Sequence, residues 1–275
     1  MTEADAGRDG PARRRGSWVV LMYHRLGEGG AGREPGEEIY TVRERDFAHQ
    51  MELLRDHGHP VRDLHDIVSE APDAGGRGVA LTFDDGSHSD VATAAPMLAR
   101  SGFRATFFVT PAWIGSSGFM EWNDVRELRR MGMSIGAHGL DHRPMSSLSE
   151  IDLKRQLREA RREIASRIGA EVAALSLPGG AGGAREWRAA REEGFRIVAG
   201  SVPGRLRVPG TREIVPRYAV RRADSLHAFL ALADQRPRAL FAASGRYTAL
   251  RLLRRSLGEA RYRRLRARWG NPQPS

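Results

Sequence analysis

The chain has 275 residues, a net charge of +10 and no cysteine. Disulfides, thiolate nucleophiles, cysteine-type zinc sites and iron–sulfur clusters are therefore excluded, and any metal must be held by histidine and carboxylate. Hydrophobic residues make up 40% and charged residues 28%, the balance of a globular chain able to bury a core without covalent staples. No run of about 20 apolar residues offers a membrane-spanning helix. The short apolar run Trp18–Tyr23, interrupted by His24 and Arg25, is too brief for a secretory core, so a cytoplasmic protein is expected.

Residues 1–16, rich in Gly, Arg and acids and without apolar periodicity, are expected to form a disordered tail. From Ser17 to about residue 245, short apolar runs alternate with helical patterns. The runs Ser17–Tyr23, Val79–Phe83, Ala105–Val109, Met133–Ala137, Ala173–Leu177, Arg196–Ala199 and Ile214–Val220 mostly lack polar alternation, as strands covered on both faces do. Helical patterns lie between them. Gly58, Gly102, Gly132, Gly169 and Gly194 each follow one, at the position where a helix end favours glycine. Either Ser147 with Glu150 or Ser149 with Asp152 can box the start of the long helix beginning near 149. Strand then helix, repeated about seven times, predicts a parallel α/β fold, a closed barrel fitting better than an open doubly wound sheet.

Residues 246–275 form a basic extension. Leu250, Leu253, Leu257, Leu265 and Trp269 share roughly one face of a predicted helix, and arginines cover the rest. Such a helix packs on the barrel, or lies on an anionic membrane surface or another polyanionic partner. Nothing resembling a base-stacking pattern accompanies the charge, which argues against nucleic acid.

The polar clusters fall just after predicted strands: His24, Asp84-Asp85, His138 with His142, and Pro178-Gly179-Gly180. In a parallel α/β fold the C-terminal strand ends share one rim, so these groups converge. Two imidazoles and one carboxylate form a ligand set that leaves positions open for water and substrate. Adjacent aspartates diverge from a strand end, so one can bind metal while the other stays free as a general base. Trp113, Phe119 and Trp122 offer an aromatic stacking surface in the loop after the third strand, or, for Trp122, core at a helix start. His49, His57, His59 and His65 read as surface residues, and His88 as a loop residue.

Leu81-Thr82-Phe83-Asp84-Asp85-Gly86 resembles the first motif of the NodB-type polysaccharide deacetylases, as Ala105-Thr106-Phe107-Phe108-Val109 does the segment downstream of it. Ile135-Gly136-Ala137-His138-Gly139-Leu140-Asp141-His142 resembles their second motif, and Leu177-Pro178-Gly179-Gly180 is loosely similar to the third. Met22-Tyr23-His24-Arg25 and Tyr40-Thr41-Val42 look like the branch whose catalytic motifs are permuted. The resemblance spans about residues 17–235. It implies a distorted (β/α)7-type barrel, a divalent metal that is usually zinc, and hydrolysis of a carbon–nitrogen (non-peptide) bond in an N-acetylated sugar. By that resemblance Asp84 is the base and Asp85, His138 and His142 are the metal ligands, while the Gly179 N–H, beside Pro178, helps bind the oxyanion.

Three departures accompany it. The late histidine motif is missing, the only later histidine being His227 in a predicted helix, which leaves His24 as the general-acid candidate. The arginine of the third motif is missing, Ser176 standing in that region. Arg217 is the first replacement to consider, on the base and substrate side of the site. Ser87-His88-Ser89 follows the aspartate pair. Hydrolysis of a non-sugar amide on the same fold, or a non-catalytic glycan-binding homologue, remain as alternatives at this stage. Without an export signal, the expected substrate is a glycan precursor, and the basic C-terminal helix would suit a lipid-linked glycan.

Overall fold

The computed structural model describes residues 16–28, 37–69, 76–180, 182–208 and 214–257. The expected N-terminal tail (1–15 of it) and the basic residues beyond Leu257, including Leu265 and Trp269, lie outside the described residues. In chain order the elements are β1 (Gly16–Tyr23), β2 (Arg25–Leu26), β3 (Thr41–Val42), α1 (Glu44–Asp56), α2 (Leu64–Ser69) and β4 (Gly76–Phe83). A π turn at Asp90–Ala94 then leads into α3 (Ala95–Arg100), followed by β5 (Thr106–Val109), α4 (Trp122–Arg130), β6 (Ser134–Ala137), α5 (Glu150–Ile168) and β7 (Ala174–Ser176). The chain continues through α6 (Ala184–Glu192), β8 (Ile197–Ala199), β9 (Arg205–Val208), β10 (Tyr218–Ala219), α7 (Leu226–Ala233) and α8 (Pro237–Leu257).

The main sheet runs β10-β1-β4-β5-β6-β7-β8, every neighbour parallel. Its two edges meet through one segment. Val215 bridges Ala199 of β8, and three residues later Tyr218 pairs with Leu21 of β1, so Ile214–Val220 is the stave that curls the sheet into a distorted barrel. β9 is the exception to the parallel expectation: it pairs antiparallel with β1, Gly16 opposite Val208. Its alternating burial, with Arg205 and Arg207 exposed and Leu206 and Val208 buried, is that of a strand with one wet face.

The buried runs lack alternation because both faces of the sheet are covered. Val20, Ala80, Phe108, Ala174 and Ile197 pack inside the barrel with Trp18, and with Leu64 and Ile67 of α2. Their neighbours Val19, Leu21, Val79, Leu81, Phe107 and Leu175 pack outward under the helices. Close packing inside is tight at Gly136 of β6, where a Cβ would stand 2.5 Å from the Phe108 ring and 2.9 Å from the Ala174 carbonyl oxygen. The start of α5 is capped by Ser149, whose Oγ accepts the Asp152 N–H at 3.1 Å, and the helix ends on Gly169 at φ 64°. α8 runs unbroken across residues 245 and 246. Among the described residues no helix is long and apolar enough to cross a membrane.

Candidate metal centre

Every polar cluster expected on the rim is found at one end of the barrel. His24 follows β1, Asp84 and Asp85 follow β4, His138 and His142 follow β6, and Ser176 ends β7. The ladders carry on past the strand ends to hold them: Asp84 N–H donates to the Tyr23 carbonyl at 2.9 Å, and His138 N–H to the Val109 carbonyl at 2.8 Å.

Asp85, His138 and His142 each aim one ligand atom at a common point, those atoms lying within 4.8 Å of one another. Asp85 Oδ1 is 3.3 Å from His138 Nε2 and 3.5 Å from His142 Nε2. Asp85 Oδ1 is buried without a hydrogen-bond partner. His138 Nδ1 lies 3.0 Å from the Ser176 carbonyl oxygen, which accepts only, so Nδ1 carries the proton and donates. Nε2 of the neutral ring then presents a lone pair to a carboxylate oxygen. Two acceptors facing each other across 3.3 Å need a cation or a proton between them.

The electrostatics agree with that geometry. Burial, reinforced by the neighbouring His138, pushes the His142 imidazole down to about 4, keeping it neutral and able to coordinate. Burial also works against a charged His138, but Asp84 and Asp85 outweigh it and raise its pKa: without a metal the pair is held by a proton that a divalent cation would replace. Two of the three residues are held in unusual backbone shapes. Asp85 has φ 82° and His142 φ 63°, a region in which non-glycine residues cost roughly 1–3 kcal/mol. The surroundings therefore impose conformations that bring the ligand atoms together. An N/N/O donor set of this kind fits a divalent ion such as zinc.

Asp84 borders this cluster, its Oδ2 3.9 Å from His138 Nε2, but its oxygens are taken up by other partners. Arg217 Nη1 donates to its Oδ1 at 2.7 Å and Nη2 to its Oδ2 at 2.8 Å, and Ser176 Oγ donates to Oδ2 at 2.9 Å. Burial alone would raise the Asp84 pKa, but Arg217 and His138 hold the carboxyl well below the usual carboxylate range, ionised at neutral pH. Arg217 is fully buried, with its guanidinium 5.5 Å from the Phe108 ring centroid. Its Nε donates to the Gly200 carbonyl, Nη1 also to Thr82 Oγ1, and Nη2 also to Ser176 Oγ. All five of its N–H groups therefore have acceptors inside the barrel. It positions Asp84 and has no donor left for an incoming oxyanion.

His24 stacks on Tyr40 with centroids 4.9 Å apart at 25°. Its Nδ1 is buried without a partner, and burial lowers its pKa against the opposing pull of Asp85 and Asp84. Pro178 packs against the turn between the two histidines: a Cβ on Gly139 would lie 3.1 Å from its Cγ. Gly179 is exposed, at φ 67°, with open space over its Cα. Trp113 lies on His142, centroids 4.4 Å apart, and on Phe119 at 5.1 Å. Trp122 packs against the core, with Arg167 over its ring. His88 and His227 are exposed.

Ser176 is the functional residue that sequence reasoning passed over. It bonds Asp84 through its hydroxyl and His138 through its carbonyl, so one residue braces both halves of the centre. Its sequence signals are its place near the end of the predicted strand Ala173–Leu177 and in the region where the third-motif arginine is missing.

Residues 71–198 match the family model described as Polysaccharide deacetylase. YxkH of Bacillus subtilis (strain 168) is 23% identical over 188 residues, which are 67% of this chain and 64% of that protein, so the match spans less than two thirds of its relative. Among solved structures, the Streptococcus pyogenes deacetylase PplD in complex with acetate superposes with a TM-score of 0.69 at 17% identity, covering 79% of this chain and 97% of PplD. IcaB from Ammonifex degensii gives 0.66 at 24% identity, covering 80% and 96%. At these identities the structural likeness is one of fold: an α/β architecture with a strongly curled sheet.

Proposed function

From the match of residues 71–198 to the polysaccharide deacetylase family model and from the geometry of the centre, we propose that this chain is a metal-dependent hydrolase that removes acetyl groups from N-acetylated sugars. The observation that carries the reading is the pair of functions built side by side. Asp85, His138 and His142 converge on one point, while Asp84, one residue away, is anchored elsewhere by Arg217 and Ser176. Residues 17–245 form the catalytic unit, and zinc is the proposed metal. His24, at the end of the first strand, takes the general-acid role, as in the permuted branch.

Asp85, His138 and His142 would hold a divalent ion, which would supply Lewis acidity. The chain's own groups do the rest. Asp84, fixed by three hydrogen bonds and ionised, accepts a hydrogen bond from the water and takes its proton as the carbon–oxygen bond forms. Arg217 and Ser176 keep the carboxylate from swinging onto the ligand cluster. The Gly179 N–H, on an open turn beside Pro178, is the proposed donor to the developing oxyanion. His24 delivers a proton to the leaving nitrogen, so that amine rather than amide anion departs. Trp113, braced on His142, gives the sugar ring an aromatic wall.

The test is acetate release from N-acetylglucosamine oligosaccharides by zinc-loaded protein, beside D84N. Release by the wild type that is lost in D84N and after chelation is the expected result. No release from any N-acetylated sugar by a protein that binds the metal overturns the reading.

A further inference from the structure

We propose that Arg221 makes this centre selective for sugars that carry a negative charge, a phosphate or a carboxylate, beside the acetylated position. The inference rests on the deacetylase reading and extends it to the substrate class. Val220 N–H donates to the Met22 carbonyl at 2.9 Å, and Met22 pairs with Ala219. Carrying that parallel register forward sets Arg221 opposite His24, on the rim that holds the metal cluster. The two side chains also meet through Tyr40: its ring stacks on His24, and the Arg221 guanidinium carbon lies 6.0 Å from its centroid.

What sets Arg221 apart is that its charge is unused. Its Nε is buried with no hydrogen-bond partner, and no ion pair is formed by its guanidinium among the described residues. The neighbouring arginines bond to the fold itself. Arg217 is consumed by Asp84, and Arg222 straps down the carbonyls of Gly27, Glu28 and Thr41. Asp224, three residues on, is committed as well: Oδ2 accepts the backbone N–H of Arg221, and Oδ1 accepts Nη1 of Arg246. A half-buried guanidinium with a desolvated donor has lost water contacts that an oxyanion would restore in fork geometry. The aromatic face of Tyr40 holds the guanidinium without consuming its donors. Asp84 has its countercharge in Arg217, while no carboxylate among the described residues pairs with the Arg221 guanidinium, which lies at the rim beside His24 and Tyr40.

Binding to the zinc-loaded full chain is measured by calorimetry with three ligands: the methyl glycoside of N-acetylglucosamine, N-acetylglucosamine 6-phosphate and N-acetylmuramic acid. At least one anionic sugar is expected to bind about tenfold or more tightly than the neutral one, as a charge-assisted bond warrants. The anion that gains identifies the group as phosphate or carboxylate. R221Q is expected to abolish the preference and R221K to retain part of it. R188Q, which removes an exposed guanidinium on α6, controls for net charge and keeps the preference. Equal binding of neutral and anionic sugars by the wild type, or an undiminished preference in folded R221Q, overturns the proposal. If the preference is present and depends on Arg221 while no acetate is released from any of the three, the anion site stands and the deacetylase reading is the part that falls.

Discussion

Arg217 and Asp84, separated by 133 residues, form a two-pronged ion pair with no exposure of the arginine, Nη1 to Oδ1 at 2.7 Å and Nη2 to Oδ2 at 2.8 Å. The arginine comes from the stave that joins the two edges of the sheet, and the aspartate from the strand end that begins the metal centre. Closure of the barrel and orientation of Asp84, the proposed base, are therefore one event. Removing either partner leaves a buried charge alone. R217A is expected to lose about 3–5 kcal/mol of stability. R217K, which keeps the charge but loses the fork, is expected to fold and to lose activity about a hundredfold, a common scale for a misplaced reacting group. Urea denaturation and acetate-release kinetics on the two variants check this.

Gly136 lies two residues before the first histidine, His138. With the Phe108 ring and the Ala174 carbonyl both under 3.0 Å from where a Cβ would sit, G136A cannot be accommodated without moving β6 against β5 or β7. A destabilisation of about 1–3 kcal/mol is expected, together with weakened metal binding, because His138 moves with the strand. G139A, in the turn, meets Pro178 at 3.1 Å and carries a φ of 72°, so it is strained as well. Thermal melts with and without zinc would report both effects.

Asp90 lies fully buried in the π turn after the aspartate motif, neither carboxylate oxygen having a hydrogen-bond partner. Burial, with Asp85 adding to it, raises its pKa well above the ordinary aspartate value. The folded state therefore holds this proton more tightly than the unfolded chain does. Stability from this group is complete below the unfolded pKa of about 4 and declines as pH rises toward the folded value. D90N removes that dependence. The variant is expected to gain in melting temperature over the wild type as pH rises from 4 to 8. An advantage that is instead largest at pH 4 would show that Asp90 is ionised and paired in the fold.

Ser176 is expected to couple the base to the ligands. S176A removes the Oγ bond to Asp84 but keeps the carbonyl that accepts from His138. Zinc affinity should therefore change little while kcat falls several-fold, a split that calorimetry and kinetics can resolve. A parallel loss of zinc affinity would mean that the hydroxyl rather than the carbonyl holds the imidazole.

The centre itself was legible in the sequence because its groups sit where chain grammar is strongest. Buried parallel strands lose polar alternation, and the residues after them reach the rim together, which places Asp84, Asp85, His138 and His142 before any coordinates are known. β9 was not legible, since its four residues pair antiparallel with β1 and nothing local announces such a return. α8 begins at Pro237, ahead of the basic stretch that draws the eye, because packing against α7 extends it backward. Arg217 could be named only as a guess among 43 arginines. Its role depends on a contact across the closed barrel, and so does that of Ser176. Arg221 gave no signal at all: its lack of an ion pair among the described residues shows only once the fold has placed its neighbours.

Zinc-edge X-ray absorption on the metal-loaded chain tests the central claim most directly. The predicted spectrum is one zinc per chain with two imidazole nitrogens and oxygen ligands at about 2.0–2.2 Å, one imidazole being lost in H142A. A spectrum without imidazole scattering, or one unchanged in both H138A and H142A, would contradict the convergence of Asp85, His138 and His142 on a single ion.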